Sequence, residues 1–357
     1  MAMSFLQGGT SNYPYAVARV QAKRSKLIQP GEYEKILKMD VAEITRFVEE
    51  SAYKSEVDEL STKFTGLDLL EAALTVNEER TYDAIRKMVS GPGGQLIALF
   101  LERYHLEDLK TLLRGKNAGA GRDELLREML IENQDIYDTF APLLAEDVKT
   151  IPDVLAALEK GTRQARDWAA ILQKVPAGSP LPRYEDALDF VYYDRLISAL
   201  GASKEKGARD VLDFVRREAD HRNLLNAARW VASGEQGDFS AYIIPGGKTL
   251  KVAQVMTLAR SKDLAALAEA LGEFKPYTGV KDELAKASQT RMLGTFQSAV
   301  WRASMKELDH LSHSHPLSLI PILLFVIRKH REVATLRAVA RGKAAGLSEE
   351  RLKELIV

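Results

Sequence analysis

The chain has 357 residues, long enough for two or three domains of ordinary size. Its 50 Lys plus Arg balance 50 Asp plus Glu, so no whole-molecule field exists that would concentrate nucleic acid or anionic lipid. There is no cysteine, which excludes disulfides, thiol catalysis and thiolate metal sites.

Met1–Thr10 is short, small and uncharged, and residues 1–12 are expected to fray rather than to act as a secretory signal. Tyr13–Ile28 reads as a helix with Pro14 in its first turn. Val17, Val20 and Leu27 form its apolar face, and Arg19, Lys23, Arg24 and Lys26 the other. Pro30-Gly31 should break it. Asp40 is placed to cap a new helix, with Glu43 completing a capping box; Ile44, Phe47 and Val48 face inward, and the helix should end near Tyr53. A weaker copy starts at Thr150 and another after Ser261, the latter ending near Tyr277.

The most informative stretch is Arg103–Gly119. Leu106, Leu109, Leu112 and Leu113 share a helix face, Arg114 and Lys116 suit the negative end of the helix dipole, and Gly119 supplies a stop. The stretch recurs from His221, with Leu224, Ala228 and Arg229, and from Arg331, with Leu336, Ala340, Arg341, Gly342, Lys343 and Gly346. Arg114, Arg229 and Arg341 are spaced by 115 and 112 residues, the mark of an internal repeat. An aromatic residue precedes each: Tyr82, Tyr193 and Trp301. Each copy therefore reads as a capped short helix, a long helix bearing an aromatic, and a signature helix. Expected boundaries are 13–121, 122–237 and 238–357. Trp230 stands where the other copies have Gly115 and Gly342, so the second signature helix should run further.

Strand patterning is nearly absent; Tyr242-Ile243-Ile244 is the one β-like patch, and the fold class is all-α. The longest apolar run, Pro316–Ile327, is shorter than the roughly 20 residues of a spanning helix and is interrupted by Pro321. It reads as a buried core helix, and no direct membrane span is expected.

Motifs that could carry chemistry are weak. Gly246-Gly247-Lys248-Thr249 resembles the end of a phosphate loop, but position 242 is Tyr where a Gly is needed, and a turn launching the next helix explains it. Ser90-Gly91-Pro92-Gly93-Gly94 reads as a turn between helices. His310, His313 and His315 lie at a spacing that can serve zinc, but in a Ser-rich joint that holds no fourth ligand rigidly, so no metal is assigned. Carboxylate pairs such as Glu49-Glu50 and Glu349-Glu350 belong to solvated faces. No catalytic or cofactor-binding set emerges. What remains is a basic stripe: Arg103, Lys110, Arg114 and Lys116, then Arg222 and Arg229, then Arg331, Arg337, Arg341 and Lys343. It is either a solvated face with cations at helix ends or a partner surface repeated three times.

Taken in order, YPYAVARVQAKRSKL at Tyr13, EDLKTLLRGKNAG at Glu107, NLLNAARW at Asn223, IIPGGKTL at Ile243 and the run from His315 to Ile356 resemble the C-type subunit of the archaeal and bacterial V/A-type rotary ATPases, the counterpart of the eukaryotic d-type subunit. The first ten residues match nothing in it. The resemblance implies a three-lobed helical funnel with pseudo-three-fold symmetry that hydrolyses no ATP. It implies a rotor component at the cytoplasmic face of the membrane. Such a component seats the central shaft, made of the D and F subunits, on the proteolipid ring, with the membrane-embedded a-type subunit as a further contact. A helical-repeat adaptor outside any rotary ATPase is the competing reading, and a metal enzyme built on the His segment a third.

Overall fold

The computed structural model describes residues 11–129, 134–235, 237–290 and 293–353, and these are all-helical, with no strand among them. The expectation for residues 1–10 lies outside the described residues. Ser11 and Asn12 are held: Asn12 donates to the Met88 carbonyl and accepts from Ser90 N–H, and Ser11 Oγ accepts from Gly93 N–H. A Cβ on Gly93 would strike the Tyr13 hydroxyl, so that glycine is what lets the start of the chain lie so close.

Contacts group the chain into two compact units, residues 1–173 with 317–357, and residues 174–316. In the first, the long helix Leu319–Ala344 packs on Gly66–Met88 and on Tyr13–Arg24. Its core joins Ile36, Ile44, Val48 and Tyr53 of the short N-terminal helices to Val333, Leu336, Val339 and Ala340. In the second unit, Ala208–Ser233 packs on Leu181–Ala202, Val252–Ala259 and Gly294–Ser314. Its core joins Leu224, Ala227 and Ala228 to Leu250, Leu258, Leu267 and Leu271. Burial on this scale is worth about 1.5–3 kcal/mol per large aliphatic side chain.

The element order repeats. Three pairs of long helices, Gly66–Met88 with Gly91–Ala118, Leu181–Ala202 with Ala208–Ser233, and Gly294–Ser314 with Leu319–Ala344, each follow a set of short capped helices. The caps are where the sequence puts them. Asp40 accepts from Glu43 N–H while Glu43 accepts from Asp40 N–H, and Thr150 forms the same box with Asp153. Asp263 caps Leu264–Leu271. The apolar run is a buried helix from Leu319 on, with Ser318 as its cap and Leu317 exposed ahead of it, and Pro321 sits in the first turn, where no intrahelical donor is lost.

Several expectations need correction. The first helix stops at Arg24, and Pro30 opens the next helix rather than only ending the last, because Pro is favoured in a first turn. The helix from Asp40 ends at Glu49 and that from Asp263 at Leu271; Tyr53 and Tyr277 lie beyond them. The β-like patch at Tyr242 forms the end of a 3-10 turn and an extended connection.

Candidate partner-binding surface

The three signature helices are Gly91–Ala118, Ala208–Ser233 and Leu319–Ala344. At matching positions they bury Leu109, Leu112 and Leu113, then Leu224, Ala227 and Ala228, then Leu336, Val339 and Ala340. The opposite face carries the arginines. Beyond each helix a glycine takes the left-handed conformation, Gly119 at φ 81°, Gly234 at 70° and Gly346 at 72°, each five residues after the repeat arginine. The backbone then turns back in the first and third copies. Ala120 N–H bonds Gly115 C=O at 2.8 Å, and Leu347 N–H bonds Gly342 C=O at 2.9 Å, satisfying end carbonyls.

Gly115 and Gly342 do the same work. A Cβ on either would collide with a leucine of the following short helix, Leu125 or Leu352. In the second copy Trp230 fills that space itself, packing on Phe239 and Tyr242 with centroids 5.4 Å away in both cases. The helix nonetheless ends at Ser233, at the same offset as the first, so the expectation of a longer second helix is wrong: Gly234 stops it whatever residue 230 is.

The basic stripe is not uniform. Arg229 and Arg114 are exposed. Arg341, at the same repeat position, is bound by Glu71 and by Glu128, the latter at 2.7 Å, and its pKa is raised, first by the hydrogen bond to Glu71. Arg222 pairs with Asp189 at 2.8 Å and lies over Tyr193. Arg337 donates to Thr75 Oγ1 at 2.8 Å, and Arg103 stacks on Phe100 at 3.8 Å. Lys110 departs from the stripe: it is 2 % exposed, with its ammonium 3.1 Å from Glu107. Its four-carbon stem is buried while the head reaches a carboxylate at the surface. Arg331 has a lowered pKa because burial penalises its charge, and Lys116 donates to the Ala145 carbonyl. At the repeat position itself, the more exposed positive charge belongs to the first two copies.

The phosphate-loop resemblance dissolves in the same geometry. Asp220, wholly buried, accepts from Thr249 N–H at 2.7 Å, Leu250 N–H at 3.2 Å and the Tyr277 hydroxyl at 3.1 Å. Burial raises its pKa against the lowering effect of those bonds. The amides that would cradle a phosphate are thus spent on the protein's own carboxylate. Arg216 donates to the Gly246 and Gly247 carbonyls, Asn223 bonds both ways with Ile244, and Lys248 pairs with Asp213 at 2.5 Å. The loop is stitched to the second signature helix along its length. No sequence signal pointed to Asp220, because its partners are about 30 residues away.

His313 bonds the Asp309 carbonyl and His315 lies 3.5 Å from Asp210. Among the described residues no group of His, Asp or Glu side chains converges as a metal site, and no helix is long and apolar enough to cross a membrane.

The model of the family described as ATP synthase (C/AC39) subunit matches residues 16–355. The C-type subunit of the A-type ATP synthase of Methanosarcina barkeri is 34 % identical over 353 residues, covering 98 % of this chain and 94 % of the relative. That of Haloferax volcanii is 33 % identical over 350 residues, covering 98 % and 99 %. These matches span the short N-terminal helices, all three signature helices and the turns that end them, and the chain belongs to the ATP synthase (C/AC39) subunit family.

Proposed function

We propose that this chain is the socket of the rotor in an A-type ATP synthase: a three-lobed funnel, one lobe per repeat, that seats the central shaft, the D and F subunits, on the proteolipid ring. It transmits torque and, as a member of this family, carries no catalytic centre. It rests at the cytoplasmic face of the membrane as a peripheral component, adjoining the membrane-embedded a-type subunit. The observation that carries the reading is the threefold recurrence of one long-helix pair, with its buried trio, its terminal arginine and its left-handed glycine. Three like units around an axis offer a cavity one shaft can enter. The surface set for this role is Arg103, Arg114, Arg222, Arg229, Arg337 and Arg341, with the exposed Arg114 and Arg229 foremost. Charges of this kind govern orientation and on-rate more than affinity.

The test is a pull-down of the tagged chain from native membranes. Co-purification of the proteolipid and shaft subunits, reduced by washing at low ionic strength, is the expected result. A tagged chain that returns soluble partners and neither of those subunits would establish an adaptor instead.

A further inference from the structure

Nine residues before Arg341 stands Glu332; nine before Arg229 stands Asp220. Both are buried, and both accept a backbone N–H and a tyrosine hydroxyl. Glu332 accepts Ile28 N–H at 2.6 Å and the Tyr53 hydroxyl at 2.6 Å. Asp220 accepts Leu250 N–H and the Tyr277 hydroxyl. Ile28 and Leu250 correspond in the chain just beyond them. The next residue, Gln29 or Lys251, donates its N–H to the side chain three positions on, Glu32 at 2.7 Å or Gln254 at 2.8 Å, and a short helix begins. Tyr53 and Tyr277 correspond too, each lying just past the helix capped by Asp40 or Asp263. The apolar partners agree as well: the short helices rest on Leu336, Val339 and Ala340 in one case and on Leu224, Ala227 and Ala228 in the other.

The two differ in chain order. Asp220 is clasped by the segment that comes after it in the chain, whereas Glu332 is clasped by a segment 304 and 279 residues earlier. The first copy has neither half of the clasp. His105 occupies the carboxylate position and contacts Arg86 at 3.0 Å, and Arg163 and Gln164 stand where the tyrosine would be.

We propose that residues 11–64 are a strap that closes the repeat array on its last signature helix, and that the Glu332 clasp is the joint at which this protein opens. The strap supplies to the third signature helix what residues 247–284 supply to the second. The middle joint is covalently continuous and reseals at once. The strap continues into Gly66–Met88, on which its short helices also pack and whose Asn77 donates to the Ala52 carbonyl, so it opens by parting from Glu332 and the Leu336, Val339 and Ala340 face while staying seated on that helix, and no long helix unfolds. The clasp also fixes the neighbouring Lys329, whose ammonium is buried, lies 3.7 Å over the Tyr53 ring and bonds Glu332 at 3.2 Å. Losing Glu332 strands that charge and favours opening further.

Hydrogen exchange read by mass spectrometry on the full-length chain tests it. Glu332→Gln should speed exchange of amides 28–57 by at least about ten-fold while residues 252–284 keep wild-type rates, since local opening sets exchange where it costs less than global unfolding. Asp220→Asn should speed exchange of residues 252–284 by less, because that joint is continuous with the helix it clasps, and should leave amides 28–57 at wild-type rates. Tyr53→Phe, which removes one hydroxyl and leaves the fold intact, should give a smaller rise confined to the strap. Faster exchange spread equally over residues 66–118 and 252–284 in Glu332→Gln, or a strap unaffected by both Glu332→Gln and Tyr53→Phe, would overturn the proposal.

Discussion

Gly247→Ala isolates the role of the loop that resembles a phosphate site. Residue 247 has no left-handed φ, so alanine introduces no backbone strain there. Its new Cβ would lie 1.9 Å from Asp220 Oδ1 and 2.8 Å from the Leu250 carbonyl, both far inside contact distance. The carboxylate must retreat by more than 1 Å or the loop must lift. Either motion breaks the bonds from Leu250 and Thr249. Hydrogen bonds to a charged acceptor contribute about 1.5–3 kcal/mol each, so the loss should be about 3–5 kcal/mol. At about 2–4 °C per kcal/mol for a domain of this size, calorimetry should show the melting temperature falling by about 10 °C. Lys248→Ala is the control. It removes a pair whose members are 36 % and 31 % exposed, so it should cost under about 1 kcal/mol. It should also leave ATP hydrolysis by the assembled complex unchanged. A Gly247→Ala protein that melts within about 2 °C of wild type would show that the Asp220 contacts hold little, and the reasoning would fail.

Three further outcomes rest on the geometry. In chemical denaturation Arg341→Ala should lose about 1–3 kcal/mol, because it leaves the buried Glu71 without its charged partner, while Arg229→Ala, at an exposed residue, should be near neutral. The triple variant Arg114→Ala, Arg229→Ala, Arg341→Ala should slow association with the shaft and flatten its salt dependence in stopped-flow mixing; unchanged kinetics would remove the arginines from docking. His105 is held neutral, its pKa pushed down to about 3 by burial and then by Arg86. Below pH 6.5 the unfolded chain takes a proton that the folded chain refuses, so stability is lost as pH falls from 6.5 toward 3. The loss is about 1.4 kcal/mol per pH unit, and His105→Gln should make the measured slope shallower by that amount.

What the sequence makes legible is local. The Asp40 and Thr150 boxes, the Leu109, Leu112 and Leu113 face and the stop at Gly119 all depend on neighbours within a few turns. The resemblance carries the family. What stays hidden depends on partners distant in the chain: Glu71 holding Arg341, Asp220 under the loop, and Glu332 under Ile28 and Tyr53. The wrong length for the second signature helix came from giving residue 230 the role of stop. The αL glycine four residues later decides where the helix ends, and it is present in all three copies.

The exchange of Gly for Trp at residue 230 bears on how such copies diverge. Where a glycine faces a leucine, as at Gly115 with Leu125 and Gly342 with Leu352, the volume belongs to the leucine. Moving to the tryptophan arrangement needs two changes. Adding bulk first overfills the site; removing the leucine first leaves it hollow, and each error costs on the order of 1–5 kcal/mol. A chain of marginal stability has little room for either intermediate. The two states are separated by a valley that neither substitution crosses alone, so the copies are bound to drift as matched pairs, and a segment grafted from one copy into another must carry its partner with it.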